Sequence, residues 1–134
     1  MVALLVSCAA VTSCTEPPGV QDPHALAIEA CSVLDQNFRQ EFDADVLDFI
    51  AGRYASAADT AAKAASIDSE YADLVRDLTA LEGFFAQLAS TVRMHGEDPG
   101  AWPADAAERL VSLGEEVDAS ETDLKALCRI ERAG

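Results

Sequence analysis

Positive charge is scarce in this chain: nine Lys and Arg stand against 24 Asp and Glu, a formal net charge of -15. The acids are spread along the chain after Cys14 and are not gathered in a tail. Nucleic-acid binding needs a basic surface to displace counterions, and adhesion to anionic headgroups needs a polybasic patch, so neither is expected. A solubilising acidic shell is the plain reading of the charge, with a cationic partner as the alternative. Long apolar runs are missing too. Val2 to Val11, broken by Ser7 and Cys8, falls short of the roughly 20 residues that span a bilayer.

Chemistry-bearing motifs are equally sparse. His24 and His95 stand alone, and no Cys/His pair has the close spacing a zinc site requires. Asp43-Ala44-Asp45-Val46-Leu47-Asp48 lacks the glycine and terminal glutamate of a calcium loop. Acids at a helix start complement the helix dipole, which explains that run without a ligand. No glycine-rich phosphate loop, nucleophile elbow or Cys–His pair is present, and carboxylates are too common here to be diagnostic. No catalytic residue, metal or cofactor is therefore expected.

What the sequence does contain is an address followed by helices. The apolar run has the length of a signal-peptide core, and it ends in Val11-Thr12-Ser13-Cys14. An aliphatic residue, two small residues and cysteine resemble the bacterial lipobox, in which the thiol of Cys14 receives lipid and becomes the new N-terminus. Leu5-Val6-Ser7-Cys8 is a competing match. Cysteine parity favours Cys14: cleavage there discards Cys8, lipidates Cys14 and leaves Cys31 and Cys128 as a pair. No Lys or Arg precedes Cys14, as expected if the true start lies upstream of Met1. The rival reading makes the apolar run a buried N-terminal helix of a soluble protein. Residues 1–13 are thus read as a signal peptide and 14–21, with Pro17-Pro18-Gly19, as a lipidated extended tether. Residues 22–134 remain for the folded domain.

That domain reads as all-α. Asp22-Pro23 supplies an N-cap acceptor and a proline at the first helical position. Ala27, Cys31, Leu34 and Phe38 then carry one apolar stripe to about Arg39. A second helix opens at Asp43 with Val46, Ile50, Tyr54, Ala57, Ala61 and Ala64 along its seam, and its alanine-rich half permits close backbone approach. The third, capped by Asp68 or Ser69, holds a three–four repeat from Tyr71 through Leu74, Leu78, Leu81, Phe85 and Leu88 to Val92. His95-Gly96-Glu97-Asp98-Pro99-Gly100 is a loop by its turn residues. Pro103 begins the fourth helix, with Leu110, Leu113, Val117, Leu124 and Leu127 inward and an acidic outer face. Glu121 and Lys125 have helix-pair spacing. Short connections favour an up-down-up-down four-helix bundle, which brings Cys31 and Cys128 to one end. A Cys31–Cys128 disulfide between helices 1 and 4 follows for an exported protein.

The lipobox, the proline tether, the spaced Cys31 and Cys128 and the Ala/Asp-rich helices together resemble small actinobacterial-type lipoproteins and secreted helical proteins. Two lysines against seven arginines fit such a GC-rich background. The resemblance implies a lipid anchor on the extracytoplasmic face of the cell membrane and carries no activity across.

Function is expected to be binding rather than catalysis. The bundle places Phe38, Phe42, Phe49, Tyr54, Phe84, Phe85, Met94 and Trp102 in the membrane-distal half, and Tyr71 alone among aromatics near the anchor. Most would be core, but Phe42, Met94 and Trp102 flank loops and are the candidate contacts for a partner or ligand. The leading reading is a membrane-anchored protein-binding or scaffolding module that engages an envelope protein. A carrier of a small apolar ligand or haem is the alternative, with Tyr54, Tyr71, His24 or His95 as candidates for iron. A soluble helical regulator is the third.

Overall fold

The structure, a computed structural model, describes residues 21–38 and 42–134. The expected signal peptide, Cys8, Cys14 and nearly all of the tether lie outside the described residues. Among the described residues there are four α-helices and no strand: α1 Pro23–Cys31, α2 Ala44–Ile67, α3 Ala72–His95 and α4 Ala104–Ala133. None of these helices is long and apolar enough to cross a membrane.

Aspartates start α1, α2 and the turn that leads into α3. The Asp22 carboxylate accepts from the His24 N–H, and that of Asp43 accepts from the N–H groups of Asp45 and Val46. Asp68 caps a short 3₁₀ turn, Ser69–Tyr71, that leads into α3. Each satisfies a donor that the first helical turn leaves without a partner. Gly96 ends α3 at a φ of 96°, in the left-handed region that glycine occupies freely.

The first helix corrects an expectation. Leu34 and Phe38 extend the apolar spacing toward Arg39, yet α1 stops at Cys31 and gives way to a 3₁₀ turn, Ser32–Asp35. Gln36 then runs extended, at φ -80° and ψ 134°. Side chains take the carbonyls that a continuing helix would use. The Ser32 hydroxyl donates to the Glu29 carbonyl at 2.6 Å, and the Arg132 guanidinium donates to the Cys31 carbonyl at 2.7 Å.

The helices run up-down-up-down. At one pole the start of α1 meets the end of α4, where His24 faces Glu131, and the start of α3 joins them, where the Tyr71 hydroxyl donates to Glu131. At the other pole the end of α3 meets the start of α2, where Arg93 pairs with Asp45 and Asp48. The Cys31–Cys128 disulfide links α1 to α4 with a Cα–Cα distance of 5.6 Å. Beside it Arg132 also grips the Asp35 carboxylate through two hydrogen bonds.

Two apolar clusters fill the interior. The larger, at the disulfide pole, joins Leu26, Ala27 and Ala30 of α1 to Ala57, Ala61 and Ala64 of α2, with Leu74, Leu78 and Leu124 completing it. Alanine on both α1 and α2 lets these two helices share one layer. The smaller, at the far pole, is built from Leu47, Leu88, Ala89, Val92 and Leu110, which belong to α2, α3 and α4 alone. Helix length explains the division. At 1.5 Å per residue, nine residues of α1 reach about 14 Å, whereas α2 and α3 extend about 36 Å. The far half is a three-helix body with its α2–α4 flank uncovered by helix.

Candidate functional site

The uncovered flank is a cleft of about 420 Å³. Val33 and Leu34 of the 3₁₀ turn border it at one end, and Phe38 and Phe42 of the following segment border it at the other. Leu47, Ile50 and Tyr54 of α2 form one wall, and Phe85 and Leu88 of α3 form the floor. Glu121 and Lys125 of α4 supply the opposite wall. The volume lies in the range of small-molecule sites, and Gln36, Asn37, Glu121 and Lys125 bring polar groups into the lining beside its aliphatic and aromatic side chains.

Aromatic rings order this cleft. Tyr54 and Phe85 stack with centroids 5.6 Å apart and planes 6° from parallel, while Phe38 tilts onto Tyr54 at 6.2 Å. The other edge of Phe38 meets Phe49 at 6.5 Å, beside a second groove lined by Asp45, Val46 and Ile50. Phe38, with Asn37 and Ile50, therefore lines both surface depressions. Burial raises the pKa of the Tyr54 hydroxyl, and the negative charge of Glu121 raises it further. The carboxylate is thus felt inside the cleft. Lys125 pairs with Glu121 at a loose 3.7 Å, and both side chains are about half-exposed.

The three anticipated contact residues are placed apart from one another in role. Phe42 is exposed and meets the Trp102 ring edge-on at 6.1 Å. Trp102 is only partly exposed, and its indole N–H donates to the Gly96 carbonyl at 2.8 Å, which ties the α3–α4 loop together. Met94 is 73% exposed, more than any other large hydrophobic side chain described. Only Phe42 lines the cleft.

Of the four candidate iron ligands, Tyr54 sits in the cleft, His95 ends α3, and His24 and Tyr71 meet at the disulfide pole. His24 Nδ1 lies 2.8 Å from the Glu131 carboxylate oxygen that accepts from Tyr71 at 3.0 Å. His24 is therefore not isolated, as its position in the sequence suggests. Burial and the bond to Glu131 push the Tyr71 phenol up to about 12. Among the described residues no group of three or more His, Cys, Asp or Glu is placed to hold a metal ion.

Sequence reasoning missed one further centre. Asp77 of α3 is 1% exposed, and one of its carboxylate oxygens has no hydrogen-bond partner. It faces Asp123 of α4. Arg76 bonds to Asp73, Asp77 and Asp123 at 3.0, 3.2 and 2.9 Å and straps the two helices from outside. Burial and the neighbouring Asp123 raise the Asp77 pKa to about 7, against the opposing pull of Arg76. The signal for this residue was its register: position 77 falls between Leu74 and Leu78, on the seam itself.

No family model matches the chain, and no curated protein or solved structure is similar to it. The fold and the cleft therefore carry the functional argument without a relative.

Proposed function

We propose that this protein is a non-catalytic binding module of the cell envelope, anchored by lipid on Cys14, whose cleft between α2 and α4 holds a small amphipathic or apolar molecule. The observation that carries this reading is the short first helix. Because α1 ends at Cys31, aromatic and aliphatic side chains that a full-length helix would cover line an open cleft instead. The Cys31–Cys128 disulfide and the lipobox-like Val11-Thr12-Ser13-Cys14 support placement outside the cytoplasm.

Native mass spectrometry of the protein purified from its membrane fraction tests this. A small molecule retained by the wild type and lost from Leu34→Trp, which fills the cleft from its rim, is the expected result. A bare polypeptide mass in both would count against a carrier. The same spectra report the anchor, since a chain beginning at Cys14 carries added lipid mass and Cys14→Ser does not.

A second reading, a protein partner at the far pole, is favoured by the exposure of Phe42, Phe49 and Met94 there. Crosslinking in intact cells from a photoreactive group at position 94 distinguishes it. A discrete adduct of higher mass supports a partner, and its absence leaves the small-molecule reading alone.

A further inference from the structure

We infer that the α2–α4 cleft selects an organic cation, an amine or quaternary ammonium carried on an apolar body; this rests on the carrier reading above and deepens it. The first argument is the position of charge. Glu121 is the one acid among the described lining residues, and its field reaches the buried Tyr54 hydroxyl. The second is the wall. Phe38, Tyr54 and Phe85 line the same cleft as Glu121, and a cation held near a carboxylate and at the margin of an aromatic cluster is attracted by both. The third is the whole molecule. A net charge of -15 concentrates cations and repels anions around any opening in the surface.

Lys125 is the group that opposes this assignment, and its geometry answers the objection. Its side chain is 58% exposed, and its ammonium stands 3.7 Å from Glu121, too far for a close charge-assisted hydrogen bond. A loose exposed pair of this kind is weak, so an incoming ammonium exchanges with Lys125 at little cost while the lysine returns to water. The apolar body then lies over Ile50, Phe85 and Leu88.

The test uses the full chain, isotopically labelled for NMR, with three probes of equal chain length below their micellar concentrations. These are decyltrimethylammonium, decanoate and a neutral decyl glycoside. Decyltrimethylammonium is expected to shift the amide signals of the cleft, with Glu121→Gln weakening it about five- to tenfold, the scale of one partly exposed charge contact. Lys125→Gln is expected to leave it equal or tighter. Decanoate shifting the same signals, and weakened by Lys125→Gln, overturns the cation assignment while the carrier reading stands. Equal binding of all three probes, unaffected by Glu121→Gln, also overturns it in favour of unselective apolar binding. No cleft shift with any probe removes the carrier reading together with the inference.

Discussion

Replacing Asp77 with asparagine should make the protein more stable at pH 8 and leave it nearly unchanged at pH 5. The unfolded chain holds this carboxyl near 3.8, whereas the folded chain, with the side chain buried against Asp123, raises it to about 7. A raised pKa means that the folded state binds the proton more tightly. The associated stability is complete below the ordinary carboxylate range and is lost as pH rises through about 7. At 1.36 kcal/mol per pH unit, the wild type should lose about 2–3 kcal/mol between pH 5 and pH 8, most of it below pH 7. Asparagine carries no charge and still offers an N–H to Asp123, so the variant should lose only what other groups contribute. Urea unfolding of both proteins at pH 5, 6, 7 and 8 measures this. Taking their difference at each pH cancels what the rest of the chain contributes. For a domain of this size the gap at pH 8 is worth roughly 10 °C in Tm. A wild type whose stability is flat from pH 5 to 8, or an Asp77→Asn protein weaker than wild type at pH 8, would refute the raised-pKa account.

Three other expectations can be checked on the same preparations. Reduction, or Cys31→Ser with Cys128→Ser, should cost about 4–5 kcal/mol by chemical unfolding, because the bridge closes a loop with a sequence separation of 97. Gly52→Ala and Gly83→Ala should each stabilise by up to about 1 kcal/mol, since both sit inside helices and an added methyl meets nothing within 4 Å; a loss of thermal stability would argue against that. Glu131→Ala removes the acceptor that holds the Tyr71 proton, so ultraviolet titration should show one tyrosine ionising at lower pH than in the wild type.

The helices and their inward faces were legible because one physical rule governs them. On α3 the three–four repeat from Tyr71 to Val92 needed only its own segment to be read, and Asp43 and Pro103 marked helix starts by local chemistry. The disulfide was legible through topology, since alternating helices leave Cys31 and Cys128 no other common end. The cleft was not. Leu34 and Phe38 keep helical spacing beyond Cys31, and the group that takes the Cys31 carbonyl, Arg132, lies 101 residues away. Tyr54, Phe85 and Glu121 likewise meet only after three helices have packed. Asp77 was hidden by abundance: in a chain with 24 acids, a buried one looks like the others until its neighbours are known.

The staple between α1 and α4 also has a mechanical meaning. The described chain enters the domain at residue 21, and within a dozen residues it is covalently joined to α4 at Cys128. Any tension arriving along the N-terminal segment therefore passes through α1 and across a sulfur–sulfur bond into the longest helix of the bundle. Without that bond, the same pull would peel away a nine-residue helix held by small side chains and a few polar contacts. The cleft begins where α1 stops, so the crosslink diverts such tension away from the 3₁₀ turn and the segment after it and into α4.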